Sequence, residues 1–168
     1  MRGNAQIALA AAILISAAPS AVAQVKRVET INDWGYFADD NPKQRTCFLA
    51  TAPQSSEPAG SRRDSIYFYI TAWPRDGVRT ELSFKAGYPY RKGSEVTVTI
   101  GSDTFKLAPK DDRAFVVDPI EELKLLEAMK KGTTMVVQGV SERGTTTKDT
   151  FSLLGVSKAV GKLTAECN

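Results

Sequence analysis

The chain has 168 residues, a formal net charge of +3 and no histidine. The near-neutral balance removes the electrostatic case for nucleic acid or an anionic membrane as partner. The missing histidine excludes Ser-His-Asp and Cys-His catalysis and the His-containing zinc sites, so a general base near neutral pH would have to be a perturbed carboxylate or lysine.

Residues 1–23 read as a secretory signal peptide. Arg2 gives a positive start, Ile7 to Ile15 an apolar core, and Ala21-Val22-Ala23 a small-x-small site with cleavage after Ala23. The apolar run is shorter than the about 20 residues a membrane span needs. Cleavage leaves residues 24–168, a length suited to one domain. Losing Arg2 brings the net charge to +2, with 21 basic against 19 acidic residues. Gln24, not a cysteine, stands directly after the cleavage site, so a lipid anchor is not expected.

Along the mature chain the dominant period is two. Trp34 to Ala38 and Thr46 to Thr51 read as strands, and Gln54 to Asp64, rich in Pro, Ser, Gly and Arg, as an exposed loop. Ser65 to Trp73 (SIYFYITAW) alternates Phe68, Ile70 and Ala72 against Tyr67, Tyr69, Thr71 and Trp73. Pro74 to Gly77 is a turn. Thr80 to Lys85 is a strand, and Gly87 to Gly93 a glycine-bounded loop carrying Tyr88, Tyr90, Arg91 and Lys92. Glu95 to Ile100 and Thr104 to Leu107 form a hairpin about Gly101-Ser-Asp103, and Arg113 to Val117 is another short strand.

Asp118, Pro119 and Glu121 then form a helix start, and Lys130, Lys131 and a left-handed Gly132 a helix stop. They predict a helix over 119–131 with an apolar stripe of Ile120, Leu123, Leu126 and Met129. Strands follow over Thr133 to Val140 and Thr145 to Leu154. A short helix over 157–166, capped by Ser157, turns Val160, Leu163 and Thr164 inward and brings Cys167 towards Cys47. Seven to nine short strands with two helices predict a mainly β, antiparallel sandwich.

The two cysteines, Cys47 and Cys167, are an even count in an exported chain, which favours one structural disulfide. The run Arg143-Gly-Thr-Thr-Thr-Lys-Asp-Thr150 has one glycine where a phosphate loop needs two, and it reads as a strand. Asp39-Asp40 and Asp111-Asp112 lack the Ca²⁺-loop pattern and read as turn acids. Neither a metal nor a cofactor is expected. Tyr67, Tyr69 and Trp73 are the candidate contact surface, the edge of their strand being the first place for it. The competing reading covers that face with the helix over 119–131 or with a loop.

The stretch R-G-T-T-T-K-D-T-F-S-L-x-G-x-S-x-A, closing on a near-terminal cysteine, resembles the C-terminal signature of the invasion-associated locus B (IalB) family of bacterial envelope proteins. Similar stretches are Trp34 followed by Thr46-Cys47-Phe48, Gly87-Tyr-Pro-Tyr90 before Glu95 to Ile100, and the Asp118 helix ending Ala128 to Met135. Many members carry a further cysteine soon after the tryptophan, and Gly35 to Asn41 here has none. The resemblance implies an exported immunoglobulin-like β-sandwich and an association with host-cell entry in pathogenic members, without an agreed activity. The expectation is a non-enzymatic envelope protein, periplasmic or at the outer surface. It would act by contact with a protein or glycan in the envelope or on a host cell, with no nucleic acid and no transmembrane segment in the mature chain. The alternatives are a carboxylate-based hydrolase of envelope polymers and a periplasmic accessory or stress protein.

Overall fold

The computed structural model describes residues 25–39 and 46–167; the leader, its cleavage site and Asp40 lie outside them. The strands are β1 (Val25–Ile31), β2 (Trp34–Asp39), β3 (Cys47–Thr51), β4 (Ser55–Glu57), β5 (Tyr67–Trp73) and β6 (Val78–Lys85). They continue with β7 (Val96–Ile100), β8 (Asp103–Lys110), β9 (Arg113–Phe115), β10 (Thr134–Val140) and β11 (Thr146–Ser152). The helices are α1 (Pro119–Lys131), inserted between β9 and β10, and α2 (Val156–Glu166) at the C-terminal end. β1 and β4 go beyond the strands read from sequence. β4 also interrupts the expected loop over 54–64 by pairing with β11.

All ladders are antiparallel, in the order β1-β2-β3-β5-β6-β9-β8-β7-β10-β11-β4. β8 joins two halves: Asp103 to Leu107 pair with β7, and Ala108 to Lys110 pair with β9. The halves face each other, since Phe68 of β5 and Phe84 of β6 both meet the ring of Phe151 on β11 edge-on, at 6.2 and 5.9 Å. The fold is therefore mainly β and antiparallel, a curled sheet compatible with the expected immunoglobulin-like sandwich.

Alternation decides which face is dry. Phe68, Ile70 and Ala72 point into the core from β5, Val96, Val98 and Ile100 from β7, and Phe151 from β11. α2 lays Val156, Ala159, Val160 and Leu163 on the inner face of β2, β3 and β5. Thr164, expected inward, is exposed. α2 starts at a left-handed Gly155 without a side-chain cap; Ser157, expected to cap it, instead donates its hydroxyl to the Lys130 carbonyl at 3.0 Å. The disulfide joins Cys47 on β3 to Cys167 at the end of α2, with Cα atoms 6.0 Å apart.

α1 spans the expected residues. The Asp118 side chain accepts from the amides of Ile120 and Glu121, while Gly132 is extended (φ −81°) rather than left-handed. Its buried stripe differs from the expected one. Leu125, Leu126 and Met129 are buried, whereas Ile120 and Leu123 are 64% and 61% exposed. The cause is Glu122, which lies one turn before Leu125 and Leu126 on the same face. Its carboxylate accepts from Thr80 Oγ1 at 3.2 Å and the Leu82 amide at 3.4 Å, docking that face on β6 and rotating Ile120 and Leu123 outward. Partial burial raises the Glu122 pKa above the usual carboxylate range, against the hydrogen bonds from Leu82 and Thr80. Replacing Ile120 and Leu123 together with serine should change the unfolding free energy in a urea melt by less than about 1 kcal/mol. Leu125→Ala should cost about 2–5 kcal/mol.

Both ends of the strand order are blunted. β1 carries Lys26, Arg27 and Glu29 and slips register between Arg27 and Glu29, leaving Val28 unpaired as a bulge. β4 is three residues long and is followed by Pro58. Bulges, charges and short length are the devices that prevent edge pairing.

Candidate contact surface

β5 is paired on both sides, with β3 and with β6, so it offers an outer face rather than the free edge expected from sequence. Pairing places Phe37 opposite Phe48, Ala50 opposite Tyr69, and Tyr67 opposite Lys85. The result is a row of rings across three strands. Phe37 and Phe48 stack with centroids 4.8 Å apart, and Phe48 meets Tyr69 edge-on at 6.0 Å. Tyr69 lies 5.8 Å from Tyr67. A guanidinium covers each end, Arg27 over Phe37 at 5.2 Å and Arg113 over Tyr69 at 5.1 Å. Burial raises the Tyr69 phenol pKa, against the pull of Arg113, so it stays a neutral donor at ordinary pH.

The three sequence-predicted residues are not all brought together. Tyr67 and Tyr69 share the row. Trp73 follows a register shift after Thr71, pairs with Val78, and makes no ring contact with either tyrosine. α1 does not cover this face; it packs on β6, β8 and α2. Phe37, Phe48, Arg27 and Arg113 escaped the sequence reading. Two of them were within its reach: with Trp34 and Cys47 fixed inward, period two turns Phe37 and Phe48 outward.

Beside the row lies a depression of about 530 Å³. Its lining includes Thr30, Asn32, Asp33, Gly35, Ala50 and Gln54 together with the rings of Phe37, Phe48, Tyr67 and Tyr69. Glycine at 35 is required by the stack, since a Cβ there would stand 2.7 Å from Phe37 Cε2.

A second cluster forms where two of the family-like stretches meet. Asp149 of β11 is fully buried and holds Arg63 in a two-pronged ion pair, Nη1 to Oδ1 at 2.9 Å and Nη2 to Oδ2 at 2.7 Å. Arg63 also donates to the Ala86 carbonyl at 2.7 and 3.0 Å and lies 4.9 Å from the Tyr88 ring centroid. The Tyr88 hydroxyl hydrogen-bonds Thr147 Oγ1 at 2.5 Å, and Tyr90 packs edge-on against Tyr88 at 5.3 Å. Burial pushes both phenol pKa values up, that of Tyr90 far beyond the ordinary range. This cluster fastens the loop before β5, the 87–93 loop and β11 together. The Arg143 to Thr150 stretch is thus a turn and a strand, as expected. Arg63, assigned by sequence to an exposed loop, has a side chain only 5% exposed.

Among the described residues no group of three His, Cys, Asp or Glu side chains is placed to hold a metal. Asp111 sits in a left-handed turn, and Asp112 lies 3.8 Å from Lys85 Nζ. No helix among the described residues is long and apolar enough to cross a membrane.

A cross-linked antiparallel β protein with an aromatic row on its outer sheet face is the class that fold and surface define. Its sequence matches the family model of the Invasion associated locus B (IalB) protein over residues 34–164, and the chain belongs to that family. No curated protein and no solved structure gives a significant match.

Proposed function

We propose that this is an exported, non-enzymatic cell-envelope protein that acts by surface contact, through the outer face of β2, β3 and β5, with a partner in the envelope or on a host cell. The observation that carries this reading is the cation-capped row Arg27–Phe37–Phe48–Tyr69–Arg113 and the trough beside it, large aromatic area on a face that neither helix packs against. Export accords with the disulfide and with the leader read from sequence. The hydrolase alternative needs two acids converging on one cleft. The two acids in unusual surroundings serve elsewhere, Asp149 on Arg63 and Glu122 on Thr80 and Leu82. The accessory-protein alternative needs an open sheet edge or an apolar groove; both edges are blunted, and the depression beside the row is lined by Thr30, Asp33 and Gln54 as well as by rings.

The test is cross-linking in intact cells with wild type and a Tyr67→Ala/Tyr69→Ala variant, with fractionation to locate the protein. Partner capture should fall about tenfold or more in the variant, with a melting temperature within about 5 °C of wild type. Undiminished capture by a folded variant would reject the outer face as the contact.

A further inference from the structure

Resting on that reading, we propose that the trough beside the aromatic row, lined by Tyr67, Tyr69, Asp33 and Gln54, is a binding site for a neutral oligosaccharide. The trough is a half-open depression, and its volume of about 530 Å³ falls within the roughly 300–1,000 Å³ of small-ligand sites. It is also formed in advance. The Asn32–Asp33 turn is fixed by the Thr51 hydroxyl donating to the Asp33 carbonyl at 2.7 Å. Gln54 is held by its backbone N–H, which donates to the Thr150 carbonyl at 2.7 Å. Phe37 and Phe48 are held by their stacking, so a ligand does not have to order loops on entering.

Charge points to a neutral occupant. The lining carries one cation and one anion, Arg27 and Asp33, and Arg27 lies over the Phe37 ring. The formal charges of the lining cancel, and the neighbouring Arg113 is engaged over the Tyr69 ring. Hydrogen bonding points away from an extended peptide. The lining backbone already pairs within the sheet, Gly35 with Thr30 on one side and with Ala50 on the other, so no strand edge opens into the trough.

What remains in the lining is planar side-chain chemistry. Asp33 and Gln54 make no side-chain hydrogen bond or ion pair with another described residue, while the Asn32 side chain lies against Gly155. Planar amides and carboxylates can pair with adjacent hydroxyls, which a pyranose ring supplies in rows. The same ring has an apolar C–H face that packs on an aromatic surface. Tyr67 provides one: among the described residues its single ring neighbour is Tyr69, tilted at 47°, and no cation lies over it.

The experiment is calorimetric titration and saturation-transfer NMR of the oxidised protein with cellotriose, maltotriose and tri-N-acetylchitotriose, and with sialyllactose as the charged comparison. At least one neutral trisaccharide should bind and sialyllactose should not. Tyr67→Ala and Gln54→Ala should each weaken binding about tenfold. Equal binding of sialyllactose, or binding undisturbed by folded Tyr67→Ala and Gln54→Ala, overturns the assignment. If no neutral probe binds while Tyr67→Ala/Tyr69→Ala still loses partner capture, the sugar assignment falls and the contact reading stands. If capture also persists in that variant, both fall.

Discussion

Replacing Arg63 with methionine is expected to lower the unfolding free energy by about 3–5 kcal/mol, measured by urea denaturation. The size follows from what the substitution leaves behind. Asp149 is fully buried, and both its carboxylate oxygens are held by Arg63. Without the guanidinium a carboxylate stays in the core with no counter-charge, and the Ala86 carbonyl loses both donors. The pair itself need not be strongly stabilising, because desolvating two ions opposes their attraction. The double variant Arg63→Met/Asp149→Leu should therefore recover most of the loss. Added salt should change the wild-type value little, since a buried pair is weakly screened. An Arg63→Met protein within about 0.5 kcal/mol of wild type would show that Asp149 finds water or another donor. A double variant no better than the single one would show that the loop, rather than the charge, carries the cost.

Arg63 also marks where sequence reading ran out. Ion pairing across 86 residues leaves no trace in local periodicity. Asp149 could be placed on the same strand face as Phe151, yet nothing in 145–154 says that this face is the dry one or that a distant arginine enters it. Elements whose signals are local were legible. α1 has its cap, proline and terminal lysines in one window, and the β7–β8 hairpin has its turn between two alternating runs. β1 and β4 were not, because their residues are largely exposed and their strand character comes from pairing with β2 and β11. α1 shows a subtler limit. Hydrophobicity assigned its inner face to Ile120 and Leu123, but the polar contact of Glu122 with β6 set the rotation. The aromatic face was half legible. Tyr67 and Tyr69 stood out within one strand, while Phe37 and Phe48 join them only through cross-strand register. Trp73 lies beyond Thr71 and a register shift that the alternation does not show, and makes no ring contact with the tyrosines.

Removing the cross-link, by Cys47→Ser/Cys167→Ser or by a reductant, should cost about 2–5 kcal/mol in the same urea assay. The bridge spans 120 residues, from β3 to the end of α2, and so encloses most of the domain. Cutting it frees the unfolded chain, a cost borne by every element together; loop-closure entropy for this length gives about 4–5 kcal/mol as an upper figure. A second effect should be local. α2 begins at a left-handed glycine, has no side-chain cap, and carries no acid in its first turn. A helix of 11 residues in that state depends on docking rather than on its own propensity. Its inner face holds Val156, Ala159, Val160 and Leu163 against the sheet, and at its far end only Cys167 ties the backbone down covalently. Hydrogen exchange on the bridge-free protein should therefore show two levels. Amides of β5 and β6 should lose protection by the global amount, while those of α2 should exchange faster still through local undocking. Equal losses in α2 and β5 would mean that packing alone seats the helix. An unchanged urea midpoint would mean that the bridge contributes nothing to the stability of the native fold.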